Sequence, residues 1–159
     1  MEEGPRTSPA GPLSPIVVRE IRMARVLVID DEPMIRETVR TFLEASGHTV
    51  IEAENGAVGL AHFSQQPFDL VVTDILMPET EGVETIQNIR QLRPDMKIIA
   101  MSGSLSQELY LSAAAKFGAN AVLSKPFRAA DLRETVARVL SGEQWERSPR
   151  KAEAGGKHD

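Results

Sequence analysis

Asp30 and Asp31 stand together after the first short apolar run of the sequence, Asp74 follows the third, Ser102 the fourth and Lys125 the fifth. Three carboxylates held within a few ångströms repel one another by roughly several kcal/mol at an effective dielectric of about 20. A hard divalent cation relieves that repulsion, and an all-oxygen donor set with no Cys or His beside it favours Mg²⁺ or Mn²⁺ over zinc. Such an ion keeps several waters and binds one or two carboxylates, which leaves room for a phosphoryl oxygen. In phosphoryl transfer the protein mainly positions the groups and neutralises charge on the equatorial oxygens. Asp74, at the end of a central strand between the acidic pair and the lysine, is then the natural nucleophile. Lys125 sets a compact positive charge against one phosphoryl oxygen, and Ser102 donates a hydrogen bond to another, together with the backbone amides that follow it. Asp31 reads as the direct metal ligand and Asp30 as acting through water, with Asp74 beside them and the carbonyl of Leu76 completing the shell.

Those residues converge only if the elements before them line up. From Ala24 onward, short apolar runs alternate with longer stretches of helical period, the pattern of a βα repeat around a parallel sheet. The expected strands are 25–29, 49–53, 70–73, 97–101 and 121–123, several of them apolar throughout, as strands covered on both faces are. The first helix is expected from Pro33, a residue suited to a first helical position, with Met34, Val39, Phe42 and Leu43 on its inner face and Gly47 as its stop. Asn55 is the expected N-cap of a second helix carrying Val58, Leu60, Ala61 and Phe63. A third helix is expected over 83–92, a fourth over 106–117 and a fifth over 129–140. In an open parallel sheet, ligands gather beyond the carboxyl ends of the strands, and there the reactive residues stand. A strand order of 2-1-3-4-5 would make the first, third, fourth and fifth strands neighbours and collect those residues in one shallow pocket.

At 159 residues the chain has room for one domain with tails. The expected division is a weakly ordered leader over 1–23, rich in Pro, Gly and Ser up to Pro15, a domain over 24–140 and a polar tail over 141–159. Met23, just before the first strand, is a possible alternative start. A 42% hydrophobic and 26% charged composition suffices for a buried core without crosslinks. Having 0 cysteines removes disulfides and thiolate zinc sites from consideration. A net charge of -5 disfavours nucleic-acid binding. No apolar run is long enough to cross a bilayer and no signal peptide opens the chain, so the expected location is the cytoplasm, without membrane insertion.

Four strings carry a likeness: Val-Leu-Val-Ile-Asp30-Asp31-Glu32, Asp74-Ile-Leu-Met-Pro78 with Gly82, Met101-Ser102-Gly103, and Leu-Ser-Lys125-Pro126-Phe127. In this order and spacing, over roughly 24–140, the chain resembles the receiver domains of two-component response regulators. The resemblance implies a doubly wound, flavodoxin-like α/β fold with five parallel strands in the order 2-1-3-4-5 and helices on both faces. It implies Mg²⁺ as cofactor and phosphorylation of Asp74 by a phosphohistidine on a partner, a sensor histidine kinase or a histidine phosphotransfer protein. It further implies a cis peptide before Pro126. At one position the chain departs from the pattern. Three residues before the lysine the family often has an aromatic side chain, which swings inward as the Ser or Thr hydroxyl moves toward the phosphate. Here that position is Val122, so Ser102 is expected to move with a weaker or different readout on the fourth helix.

Taken singly, each string has an ordinary explanation. Asp30 to Glu32 ahead of Pro33 would suit the positive end of a helix dipole, and Lys125-Pro126 alone would suit a solvated turn. Their agreement in position argues against coincidence. An FMN carrier would share the architecture, but Asp-Asp-Glu would repel the FMN phosphate. An aspartyl phosphatase would place its nucleophile and its acid-base residue after one strand. Two variants of the main reading stay open: a relay intermediate that passes its phosphoryl group on to another histidine, and a pseudo-receiver that binds partners without phosphorylation. The sequence beyond Leu140 offers no DNA-binding or enzymatic effector, so output is expected through contact with a downstream protein target, with no catalysis beyond the chain's own phosphorylation and dephosphorylation.

Overall fold

A computed structural model describes residues 23–75, 81–103 and 118–142. Five strands, β1 (Arg25–Ile29), β2 (Thr49–Ala53), β3 (Leu70–Asp74), β4 (Ile98–Ser102) and β5 (Ala121–Ser124), form one sheet in the order β2-β1-β3-β4-β5. Every neighbouring pair is parallel. The described helices are α1 (Pro33–Ala45), α2 (Gly56–Gln65), α3 (Glu81–Leu92) and α4 (Ala129–Leu140). The helix expected over 106–117, the leader and most of the tail lie outside the described residues.

Because side chains alternate across a strand, the sheet supplies two cores. Val26, Val28, Leu70, Val72, Ile99, Met101, Ala121 and Leu123 face one side, where Val39 and Leu43 of α1 and Leu132, Val136 and Val139 of α4 cover them. Leu27, Ile29, Val71, Ile98, Ala100 and Val122 face the other, under Phe63 of α2 and Ile86 and Ile89 of α3. The doubly wound expectation thus holds, and the strand order is the one that gathers the reactive loops at one edge. No helix among the described residues is long and apolar enough to cross a membrane.

Helix ends follow their expected signals. Pro33 opens α1, and Gly47, at φ +96°, stands just past its end. Asn55 caps α2, its side chain accepting from the Val58 N–H at 2.8 Å. Asp131 accepts from the Arg128 N–H at 3.1 Å and so closes the start of α4.

Four expectations need correction. Met34 is not on the inner face of α1 but 77% exposed; Ile35 packs on the core instead, since at about 100° per residue it shares a stripe with Val39 and Phe42 while Met34 does not. In α2 the buried positions include Gly56 and Gly59 rather than Ala61, which is exposed. A Cβ on Gly59 would lie 2.5 Å from Ile29 Cδ1, so the helix approaches the sheet through its glycines. Finally, β3 and β4 run through Asp74 and Ser102 instead of stopping before them, because Asp74 pairs with Met101 and Ser102 with Ser124. α3 likewise starts at Glu81, ahead of the expected 83.

Candidate functional site

The register sets the geometry of the carboxyl edge. Ile29 lies beside Thr73 in the β1–β3 pair, so the next residue of each strand, Asp30 and Asp74, emerges side by side. Asp74 is beside Met101 on β4, which brings Ser102 to the same edge. The Lys125 N–H donates to the Ser102 carbonyl at 2.8 Å and ties the end of β5 to that of β4. The Lys125–Pro126 peptide is cis, as the resemblance implied.

Asp30, Asp74 and Ser102 are buried while Asp31 is exposed. One carboxylate oxygen from each of Asp30, Asp31 and Asp74 lies within 4.8 Å of the others. Lys125 Nζ donates to Asp30 Oδ2 at 2.9 Å and stands 3.4 Å from Asp74 Oδ2 and 3.6 Å from Glu32 Oε1. Asp30, Asp74 and Glu32 therefore share this one ammonium. Burial pushes the Asp30 carboxyl above its ordinary range and the charge of Asp74 adds to that push, against the opposing pull of Lys125 and of the Glu32 N–H. Burial alone would lower the Lys125 amine, but its hydrogen bond to Asp30 and the charges of Asp74, Asp30 and Glu32 raise it above its usual value. The pocket favours cations and resists further negative charge.

The structure thus brings together Asp30, Asp31, Asp74 and Lys125, and sets Ser102 on the adjacent strand end; Leu76 lies outside the described residues. Sequence reasoning overlooked one contributor, Arg36, and gave no role to another, Gly82, which it quoted only as part of the likeness. Arg36, on the first turns of α1, donates to the carbonyl of Asp30 at 2.8 Å. Gly82 brings the start of α3 so close to the end of β3 that a Cβ there would lie 2.3 Å from the Asp74 carbonyl oxygen. A glycine directly after an expected strand-to-helix turn was the signal for the second; nothing in the spacing announced the first.

A family model of the response regulator receiver domain matches residues 26–137. The chain belongs to that family. This receiver domain is 34% identical over 118 residues to the response regulator receiver protein CpdR of Brucella abortus (strain 2308), a match over 74% of this chain and 98% of CpdR. It is 32% identical over 118 residues to the chemotaxis protein CheY of Bacillus subtilis (strain 168), across 74% of this chain and 98% of CheY. Among solved structures, response regulator TrrA of Thermotoga maritima, in complex with Mg²⁺-BeF, is 36% identical with a TM-score of 0.65, over 72% of this chain and 97% of that one. The receiver domain spans nearly the whole of each of these relatives, and its place is in two-component signalling. At the position where many receiver domains carry an aromatic residue, Val122 is fully buried and packs in the core with Ile98, Ala100 and Ile86.

Proposed function

We propose that this protein is a phosphoacceptor, with Asp74 as the residue that takes the phosphoryl group and Mg²⁺ as its cofactor. Its donor is a phosphohistidine on a sensor histidine kinase or a histidine phosphotransfer protein. A carboxylate oxygen of Asp74 attacks phosphorus and forms a P–O bond. The P–N bond breaks, and its electron pair returns to the imidazole nitrogen. Lys125 holds positive charge where the phosphoryl oxygens gather, and Ser102 donates a hydrogen bond to one of them. The observation that carries this reading is the close group of Asp30, Asp31 and Asp74 oxygens with Lys125 against two of them.

The donor set fits Mg²⁺. It consists of oxygen alone, one member is exposed so that part of the shell stays open to water and phosphoryl oxygen, and no His or Cys stands in the group. Asp31 would bind the ion directly, Asp30 through water, and Asp74 and the carbonyl of Leu76 would complete the shell. The bound ion supplies charge neutralisation for an anionic nucleophile meeting an anionic phosphoryl group. TrrA, whose structure holds Mg²⁺-BeF, supports the assignment by likeness.

The state of Asp74 would switch a protein-binding surface made by the segment 106–117, β5 and α4, with a downstream protein as target, in the cytoplasm. Incubation with acetyl phosphate and Mg²⁺ should yield an acid-stable, base-labile adduct of one phosphoryl mass, absent in Asp74→Asn. No adduct on the folded wild type would favour a phosphorylation-independent binding module instead.

A further inference from the structure

The turn that presents Asp31 is held from outside the acidic pocket. Asp30 extends the β1–β2 ladder through its N–H, which donates to the Ala53 carbonyl at 3.1 Å. Its carbonyl accepts from Arg36 Nη1 at 2.8 Å. The same guanidinium donates through Nε to Glu52 Oε1 on β2 at 3.0 Å, and Arg40 Nη1 donates to Glu52 Oε2 at 2.7 Å. The Arg36 and Glu52 side chains are 16% and 26% exposed, so this pair is less open to solvent than the surface ion pairs that contribute little. Burial would raise the Glu52 carboxyl, but the hydrogen bonds from Arg40 and Arg36 outweigh it and hold Glu52 below its ordinary range.

The Asp30 carbonyl and the Asp31 N–H belong to one planar peptide unit. A hydrogen bond that fixes the carbonyl therefore fixes the plane from which Asp31 leaves. Asp31 is exposed, and among the described residues no cation is paired with its carboxylate, yet its oxygen lies within 4.8 Å of those of Asp30 and Asp74. Charge repulsion opposes that placement, so the backbone has to set it.

We infer that Arg36, braced by Glu52, is a positioning residue for divalent-cation binding: it orients the Asp30–Asp31 peptide so that the Asp31 carboxylate joins those of Asp30 and Asp74. The inference rests on the Mg²⁺ reading proposed above. Its sign separates it from plain electrostatics. A guanidinium near an acidic pocket repels a cation, so by charge alone its removal would tighten binding. By positioning, its removal weakens binding, as loss of an outer-shell partner does by roughly 10–100-fold.

The test is calorimetric titration of the full chain with Mg²⁺ alone, on wild type, Arg36→Met, Arg36→Lys and Glu52→Gln, with urea unfolding to establish that each is folded. Arg36→Met is expected to bind Mg²⁺ about tenfold more weakly. Arg36→Lys keeps the charge but not the fork that spans two acceptors, and is expected to lose affinity as well. Glu52→Gln, which leaves Arg36 intact but loosens it, is expected to show a smaller loss. Wild-type or tighter affinity in Arg36→Met overturns the inference. Should that variant not fold, unchanged affinity in both Arg36→Lys and Glu52→Gln does so. A wild type that binds no Mg²⁺ brings down the metal reading itself, a different failure.

Discussion

Lys125 has Asp30, Asp74 and Glu32 within ion-pair reach, and its side chain is 12% exposed while that of Asp30 is 0%. Removing one partner of a buried pair leaves the other charge without compensation, at a cost of about 3–5 kcal/mol. Lys125→Met should therefore lower stability in the absence of Mg²⁺ by about 3 kcal/mol, the low end of that range, because the pocket opens toward Asp31 and water can enter. Saturating Mg²⁺ should restore more stability to the variant than it adds to wild type, since an ion that binds only the folded chain stabilises it and here also replaces the lost cation. Urea titrations with and without Mg²⁺ measure both quantities. Equal stability of the two proteins in Mg²⁺-free buffer would show that the pocket's crowding is not what the lysine relieves. Asp31, by contrast, is exposed, and its substitution has no comparable buried charge to strand.

At the scale of elements, two helices approach the sheet through glycine, with different consequences. A Cβ on Gly82 would meet the Asp74 carbonyl oxygen at 2.3 Å and Ile75 Cα at 2.6 Å, both backbone atoms that cannot swing aside. A Cβ on Gly59 would meet Ile29 Cδ1 at 2.5 Å, the far end of a flexible side chain. Gly82→Ala is expected to cost about 2 kcal/mol, as overpacking against a rigid neighbour does, and to slow phosphorylation by acetyl phosphate because the end of β3 carries Asp74. Gly59→Ala should be near neutral, since roughly 1 kcal/mol of helix propensity offsets the Ile29 shift. Denaturation midpoints and phosphorylation rates for the pair decide the matter; matching losses would mean that the backbone at Asp74 yields as readily as a side chain. At the opposite edge of the sheet, Arg90 of α3 donates to the carbonyls of Gly118 and Pro94 at 2.8 and 3.1 Å, to that of Met96 and to Asn120 Oδ1 at 2.9 Å. Asn120 Oδ1 also accepts from the Ile98 N–H, so one guanidinium ties the end of α3 to the starts of β4 and β5 and keeps the far ends of those strands in register.

For the molecule as a whole, stability should depend on pH near neutrality through His48. Its Nδ1 accepts from the Ala24 N–H at 3.1 Å, where the chain enters β1. Burial lowers its pKa below the ordinary imidazole value of about 6.5. The unfolded chain therefore takes up a proton first as pH falls, so this group withdraws stability from about pH 6.5 downward until the lowered folded value is passed, and is neutral toward folding above that window. A protonated ring would also turn an N–H toward the Ala24 N–H. His48→Asn, whose side-chain oxygen can still accept, should fall less steeply with pH than wild type across that window in urea unfolding. Parallel curves for the two proteins would remove His48 from the account. The sheet that this contact helps close places the acidic pocket at one edge and the Arg90 clamp at the other, so the folding frame and the chemistry occupy separate ends.

Residue types, order and spacing were enough to determine the alternation of strands and helices, the helix stop at Gly47, the helix start at Asn55, and which polar side chains stand at the carboxyl edge of the sheet, because periodicity and backbone preference are local and are written into neighbouring residues. Tertiary structure alone decided what depends on register. Pairing across the sheet carried β3 and β4 through Asp74 and Ser102, helix phase put Ile35 rather than Met34 against the core, and the turn after β1 came within reach of Arg36. A glycine's role as a contact surface, as at Gly59 and Gly82, depends on what lies opposite. No local pattern encodes it, since the opposing atoms come from strands distant in the chain.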